Sequence, residues 1–171
     1  MNSLKPFFLS ALFAFSLIAP NAALSADLPN TGTYFILNAL NDEALEPLEG
    51  TPGQNVFLAE YTKSGMQKWA VTRKIDPKTK LPTNRYTIRL AGDSTKLYLA
   101  PFPAPNHTSM LDPNPSVYIL QKQGDDLLIR SVDRNGDSLC CVASPPSRNE
   151  VQIQPKDETS KFQWKFIATD F

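Results

Sequence analysis

The chain has 171 residues, with 17 basic and 17 acidic side chains, one histidine and two cysteines. Its length suits a single domain, and a hydrophobic content of 42% is enough to build a core, which excludes wholesale disorder. A formal net charge of zero excludes the strongly basic surface that drives nucleic-acid binding through phosphate neutralisation. Fifteen prolines indicate a loop-rich fold without long helices.

The first residues have the pattern of a secretory signal peptide. Lys5 precedes the apolar stretch from Phe7 to Ile18, and small residues follow up to Ala26. This stretch is shorter than the about 20 apolar residues that a membrane span needs. We therefore expect residues 1–26 to be removed, and residues 27–171 to form one secreted, monomeric domain without a membrane partner.

Export makes a glycosylation signal relevant. Asn106-His107-Thr108 is an N-glycosylation sequon, and it lies in the proline-rich stretch from Pro101 to Pro115. A proline-rich loop is expected to be exposed, so Asn106 is a predicted glycan acceptor in a host that glycosylates.

The two cysteines, Cys140 and Cys141, are adjacent in sequence. Neighbouring Cα atoms are about 3.8 Å apart, less than the roughly 4.4–6.8 Å usual for a disulfide, so a bridge between them would be strained. The other interpretation is two thiols on one strand, one facing the core and one facing outward, and we favour it. Neither arrangement provides a long-range cross-link.

A pattern of short strands recurs three times along the chain. The opening strands are Tyr34 to Asn38, Tyr86 to Leu90 and Leu127 to Ser131, and the closing strands are Trp69 to Val71, Tyr118 to Leu120 and Trp164 to Phe166. Two further apolar runs lie between each opening and closing strand, at 44–45 and 56–58, at 97–99 and 110–111, and at 139–142 and 151–153. Three units of four strands predict a closed all-β fold with pseudo-threefold symmetry. An irregular β-sandwich is the alternative, but it leaves the recurrence unexplained.

Three segments carry a family resemblance. Gly32 to Ile36 opens the domain, Gln67-Lys68-Trp69 has the form Q-x-W, and Phe162 to Phe166 closes the domain. In these segments the chain resembles β-trefoil proteins of the ricin-B-like superfamily, which includes lectins and secreted, fungal-type protease inhibitors. The resemblance covers residues 30–171 and implies a β-trefoil fold.

Two positions depart from the family pattern. Gln163 lies directly before Trp164, without the intervening residue of Q-x-W, and the second copy has Tyr118 where a tryptophan is expected. In a trefoil, Trp69, Tyr118 and Trp164 are expected to be core residues that close each repeat.

The inventory of side chains argues against an enzyme. The one histidine, His107, lies in the proline-rich loop, and the chain has no G-x-S-x-G segment. Asp133, Asn135 and Asp137 resemble the start of a calcium loop, but Ser144 occupies the position of the bidentate glutamate and the expected glycine is displaced. Phosphate-cradling and dinucleotide-binding loops are also absent from the sequence. We expect a non-catalytic protein without a metal or cofactor.

The resemblance implies a glycan as the first candidate partner. Lectins of this superfamily form a shallow pocket from an acidic residue on the second strand, an aromatic platform after the third strand and a nearby amide. The carboxylate accepts hydrogen bonds from hydroxyls, and the ring packs on the apolar face of the sugar. In the first copy the acidic position falls on Glu46, the platform on Ala59 or, with a small shift, on Tyr61, and the amide position on Met66, directly before Gln67. The candidate pocket implied by the resemblance is therefore Glu46, Tyr61 and Gln67.

This interpretation applies to one copy only, and it has an alternative. The acidic position falls on Ala100 in the second copy and Cys141 in the third, so only the first copy is a candidate pocket. Gln67 is also the type of residue that holds a nearby turn by hydrogen bonds, in which case Glu46 and Tyr61 are ordinary surface residues.

The alternative function is inhibition of an extracellular protease. A rigid loop binds a protease well because little entropy is lost on docking. The predicted connection 72–85 carries Lys74 followed by Ile75, and the loop 144–148 presents Arg148. A trypsin-like pocket would accept either basic residue, although basic residues in loops are also commonly inert and solvated. A third hypothesis is a secreted interaction protein that binds a host or cell-wall partner through its loops.

Overall fold

The computed structural model describes residues 28–92, 96–101, 108–132, 137–144, 148–155 and 160–169. Within these ranges the chain forms twelve β-strands. The strands are β1 Gly32–Asn38, β2 Ala44–Pro47, β3 Val56–Ala59, β4 Lys68–Ile75, β5 Pro82–Leu90, β6 Tyr98–Ala100, β7 Met110–Asp112, β8 Tyr118–Gln123, β9 Asp126–Ser131, β10 Ser138–Ser144, β11 Arg148–Gln154 and β12 Gln163–Ala168. Short 3-10 turns at Gly65–Gln67 and Ser160–Phe162 precede β4 and β12. Within these ranges, no helix is long and apolar enough to cross a membrane.

Six of the strands close into a ring. β1 pairs with β4 and β12, β5 pairs with β4 and β8, and β9 pairs with β8 and β12, all antiparallel. These are the opening and closing strands of the three repeats, so the ring is a barrel with pseudo-threefold symmetry. Closure pairs each barrel strand on both sides and leaves no free edge. The predicted β-trefoil is confirmed, and the alternative β-sandwich is wrong.

Three hairpins cover one end of the barrel. They are formed by β2–β3, β6–β7 and β10–β11. Each hairpin touches the next through one equivalent backbone contact, and the three pairs are Asn55 with Met110, Thr108 with Gln152, and Glu150 with Phe57. The symmetry of the barrel therefore extends to the hairpins.

Three buried aromatic residues tie the barrel to the hairpins. The donors and acceptors are Trp69 Nε1 to the Leu45 carbonyl at 2.9 Å, Tyr118 OH to the Leu99 carbonyl at 3.3 Å, and Trp164 Nε1 to the Leu139 carbonyl at 3.0 Å. All three aromatic side chains are fully buried, so each bond provides a partner for an indole N–H or phenol O–H that water does not reach. The prediction that these residues close the repeats from within the core is confirmed.

The connection between the first and second repeats is a β-hairpin. The prediction of a loop over residues 72–85 is therefore wrong, because most of these residues lie in paired strands. β4 and β5 stay paired as far as Ile75 and Pro82, and only Asp76 to Leu81 forms the turn. The prolines suggested a loop, but Pro82 is the first residue of its strand, where proline is tolerated because it interrupts no internal ladder.

One polar side chain lies at the centre of the three hairpins. Ser109 occupies the position that Val56 and Val151 occupy in the other repeats, and its backbone links the two. The Val56 amide donates to the Ser109 carbonyl at 2.7 Å, and the Ser109 amide donates to the Val151 carbonyl at 2.5 Å. The Ser109 side chain is fully buried, and its hydroxyl has no hydrogen-bond partner within the part of the chain that the structure describes.

Replacing this hydroxyl should stabilise the fold. We expect Ser109→Val to raise the free energy of unfolding by about 1 kcal/mol, because it removes a desolvated polar group and adds the β-branched side chain of the other repeats. Urea denaturation measures the change. The control Ser116→Val, at a half-buried position, should change stability by less than about 0.5 kcal/mol. A loss of stability in Ser109→Val would contradict the assignment of an unsatisfied hydroxyl.

Candidate functional site

The segment Gln67-Lys68-Trp69 holds β2 at two consecutive residues. Trp69 donates to the carbonyl of Leu45, and Gln67 Nε2 donates to Glu46 Oε2 at 2.7 Å. Gln67 and Trp69 are two residues apart where the chain becomes extended, and side chains at this spacing lie on the same side. This explains the Q-x-W spacing in physical terms. We call Gln67 and Trp69 the Gln–Trp clamp.

Gln67 is fully buried, and all of its side-chain hydrogen-bonding capacity is used. Besides Glu46, Nε2 donates to the Glu60 carbonyl at 2.7 Å. Its Oε1 accepts from the Thr62 amide at 3.0 Å and from the Thr62 hydroxyl at 3.4 Å. Gln67 therefore positions Glu46 and the segment after β3, and it has no polar atom left for a ligand.

Glu46 lines a groove of about 260 Å³ between β2 and β3. Phe57 pairs directly with Glu46 across the two strands, so both side chains project from the same, outward face. Both are half-buried. Ala59 and Glu60 continue the wall on the β3 side. We call this depression the Glu46 groove.

The Glu46 groove is acidic. Glu43, Glu46 and Glu60 line it, and no basic side chain does. One oxygen of Glu46 accepts from Gln67, and the other has no hydrogen-bond partner among the described residues. Carboxylates accept hydrogen bonds from hydroxyl and ammonium groups and repel anions. In the described ranges, no group of three acidic, cysteine or histidine residues is arranged to hold a metal ion.

Tyr61 lies outside the Glu46 groove. Its ring packs edge-on against Phe35, with ring centroids 5.2 Å apart. It lines a second groove of about 270 Å³ together with Lys63 and Lys68. Of the three candidate glycan-binding residues, the structure thus brings Glu46 and Gln67 together and places Tyr61 elsewhere.

Phe57 is the aromatic residue beside Glu46, and the sequence reasoning missed it. The platform position implied by the resemblance lies after β3 in sequence, whereas the aromatic neighbour of Glu46 is set by pairing across the β2–β3 hairpin. The alternation of Val56, Phe57 and Leu58, in which only the middle residue points outward, was the available signal.

The third repeat replaces the polar contact by an apolar one. Because Trp164 bonds to Leu139, the residue equivalent to Glu46 is Cys140, and the assignment of Cys141 to this position was wrong by one residue. Phe162, two residues before Trp164, takes the place of Gln67. Cys140 and Phe162 are both buried in one small cluster. Cys140 is therefore buried, but on the sheet face equivalent to that of Glu46 and in a cluster separate from the main core. The Cys141 side chain is outside the described residues.

The second repeat also lacks the polar contact. Its equivalents of Glu46 and Gln67 are Ala100 and Ser116, judged from the bond between Tyr118 and Leu99. Neither small side chain can reproduce a carboxylate held by an amide. The acidic groove is therefore a property of the first repeat.

The residues proposed for protease inhibition lie in paired strands. Lys74 and Ile75 end β4, and the Lys74 carbonyl accepts from the Thr83 hydroxyl at 2.8 Å. Arg148 begins β11, and its side chain is outside the described residues, as are Asn106 and the predicted signal peptide. A substrate-like loop needs an unpaired backbone to join a protease. Protease inhibition stays a prediction, without support from this geometry.

Removing the Gln67 amide should destabilise the fold. We expect Gln67→Ala to lower the free energy of unfolding by about 2 kcal/mol, because it leaves the Glu60 carbonyl and the Thr62 amide without their partner. Chemical denaturation measures the loss. The matched control is Gln163→Ala, since the half-buried Gln163 side chain has no hydrogen bond within the described residues. Equal stability of the two variants would contradict the positioning role of Gln67.

The fold has counterparts among solved structures. The Rhizoctonia solani agglutinin matches with a TM-score of 0.68 at 18% identity, over 84% of this chain and 98% of that one. The Macrolepiota procera ricin B-like lectin, solved with lactose, matches with a TM-score of 0.65 at 17% identity, over 84% and 99%. A mosquitocidal holotoxin matches with a TM-score of 0.69 at 15% identity, and this chain spans 18% of its length.

Sequence comparison adds no closer relation. No protein-family model matches the chain, and no curated protein matches it significantly. At these identities the structural matches establish the fold. The chain has the β-trefoil fold, and its structural neighbours include ricin-B-like lectins.

Proposed function

We propose that the protein is a non-catalytic carbohydrate-binding protein that holds a glycan in the Glu46 groove. The observation that carries this proposal is the 2.7 Å hydrogen bond from Gln67 to Glu46. It fixes one carboxylate oxygen, and the other has no partner among the described residues in a groove that Phe57 also lines. A carboxylate already held in place loses little freedom when it accepts bonds from sugar hydroxyls.

Phe57 supplies the apolar half of the site. Sugar rings have one face of C–H groups, and such faces pack on aromatic side chains. Phe57 shares the outward face of the sheet with Glu46, its direct partner across the strands. A ring resting on Phe57 therefore has its hydroxyl edge beside the carboxylate.

The charge of the groove selects the class of glycan. Glu43, Glu46 and Glu60 favour neutral or amino sugars and disfavour sialylated, sulfated or uronic ones. Two structural neighbours are a lectin and an agglutinin, and the lectin was solved with lactose, a neutral sugar. Another neighbour, the Polyporus squamosus lectin, was solved with a sialylated epitope, so the expected preference for uncharged or amino sugars rests on the carboxylates of the groove itself.

The size of the groove sets the expected affinity. A groove of about 260 Å³ accommodates one sugar ring. At about 0.3 kcal/mol per non-hydrogen atom, a ring of about 12 such atoms gains about 4 kcal/mol, which corresponds to a Kd on the order of 1 mM. Detection on a glycan array therefore needs a multivalent display of glycans.

A glycan array tests the proposal. We expect binding to neutral or amino-sugar glycans that free sugar competes away, and at least a tenfold loss in Glu46→Gln. This variant keeps an oxygen for Gln67 but removes the charge that strengthens bonds from hydroxyls. The control is Glu49→Gln, an exposed carboxylate that does not line the groove.

Three results would contradict the proposal. They are the absence of binding across the array, binding restricted to anionic glycans, and equal binding by Glu46→Gln and the wild-type protein. Near-wild-type binding by Glu49→Gln is required for the loss in Glu46→Gln to count.

A further inference from the structure

The β4–β5 hairpin is an ordered projection from the barrel. Its strands stay paired to Ile75 and Pro82. Two side chains add cross-strand bonds near the end, from Thr83 Oγ1 to the Lys74 carbonyl at 2.8 Å and from Arg73 Nε to the Thr83 carbonyl at 2.6 Å. We call residues 73–85 the basic hairpin.

The turn at the end of the basic hairpin is organised by Asp76. Its carboxylate accepts from the amides of Lys78 at 2.7 Å and Thr79 at 3.1 Å, and its amide donates to the Leu81 carbonyl at 3.0 Å. The two bonds to the carboxylate lower the pKa of Asp76. The one acidic group of the hairpin therefore serves the turn.

Apolar side chains are exposed at this turn. Ile75 is 54% exposed and Leu81 is 64% exposed, and the turn bond between Asp76 and Leu81 keeps both residues at the tip. More than half of each side chain is therefore accessible to solvent. Lys78 and Lys80, on the same turn, are exposed as well.

The charge of the chain is concentrated in this hairpin. Residues 73–85 contain five basic side chains and one acidic side chain, a net charge of +4. The whole chain has a formal net charge of zero, so the remaining residues sum to −4. The exposed apolar tip therefore lies in a segment of net positive charge.

We propose that the basic hairpin docks on a lipid bilayer that contains anionic headgroups. Ile75 and Leu81 enter the interface, and Lys74, Lys78 and Lys80 lie among the headgroup phosphates. Peripheral proteins bind anionic membranes when apolar side chains insert shallowly into the bilayer and basic side chains interact with the anionic headgroups. The expectation of no membrane partner rested on the absence of a spanning segment after the leader, and surface docking needs none.

The shape of the tip favours a membrane over an acidic protein. A stable protein interface covers about 800 Å² on each partner, usually on a broad surface. Two apolar side chains on one narrow turn offer far less, whereas a bilayer adapts to a projection of this kind. Docking on an acidic protein is an outcome that the test separates.

The basic hairpin and the Glu46 groove are distinct sites. β4 leaves the Gln–Trp clamp at Lys68 and reaches Ile75 seven residues later, a distance of roughly 23 Å at about 3.3 Å per residue. Membrane docking is independent of glycan binding, and either can fail without the other.

Vesicle co-sedimentation with residues 27–171, which contain all twelve strands, tests the proposal. The protein should bind vesicles of phosphatidylcholine with about 30 mol% phosphatidylserine at least tenfold better than phosphatidylcholine alone. Binding should weaken severalfold when salt rises from about 0.1 M to about 0.5 M. The double variant Ile75→Ser/Leu81→Ser should lose at least tenfold. Its control, Leu40→Ser/Val132→Ser, changes exposed apolar residues elsewhere and should bind like wild type.

A second pair of variants tests the charges. Neutralising Lys74, Lys78 and Lys80 together with glutamine should weaken binding by about fivefold per lysine. Neutralising Lys63, Lys96 and Lys122, exposed lysines outside the hairpin, should have a smaller effect. Circular dichroism of each variant excludes unfolding as the cause of a loss.

The proposal is overturned by equal binding to neutral and anionic vesicles, by no binding to either, or by variants of the hairpin that bind like their controls. Binding to an acidic protein, without binding to anionic vesicles, would overturn it in favour of a protein partner.

Discussion

The hydrogen bond from Trp69 to the Leu45 carbonyl is the contact on which the candidate site depends. It is fully buried and joins the barrel to the first hairpin, and equivalent bonds from Tyr118 and Trp164 join the other two. Burial excludes water as a substitute partner, so losing such a bond would leave both a ring donor and a carbonyl unsatisfied. The bond from Trp69 thereby fixes the position of β2 relative to β4.

The contact between Gln67 and Glu46, on which the proposed function rests, lies one residue further along β2 than the Trp69 bond. With Leu45 held by Trp69, the next side chain, Glu46, lies within reach of Gln67. The clamp therefore gives one strand both a structural anchor and an oriented carboxylate. In the third repeat Phe162 and Cys140 occupy these positions and pack as apolar residues instead. A nearly symmetric fold can thus carry one asymmetric site.

The strands and the closing aromatic residues were predictable from the sequence because both leave local signals. Alternation of apolar and polar residues marks each strand, and Trp69, Tyr118 and Trp164 recur at nearly even spacing. Their predicted role as buried closing residues needed only that recurrence and their size.

The groove was only partly predictable because it depends on pairing between strands. Glu46 was predicted from the acidic position of the family's pocket, and Gln67 from the Q-x-W segment. Phe57, in contrast, is defined by the register of the β2–β3 hairpin, which local patterns do not reveal. Tyr61 follows β3 closely in sequence, but its ring contacts Phe35, a residue distant in sequence, and this contact leaves no local signal. The position equivalent to Glu46 was predicted at Cys141 and lies at Cys140, because the register of β10 is likewise not fixed by local patterns.

The most direct measurement of the central claim is a titration of ¹⁵N-labelled protein with neutral and amino sugars, followed by two-dimensional NMR. If the Glu46 groove holds the glycan, amide shifts should concentrate at residues 43–48 and 57–60 and saturate at millimolar sugar. Shifts centred on Tyr61, Lys63 and Lys68, or no saturable shifts with any sugar, would contradict the account.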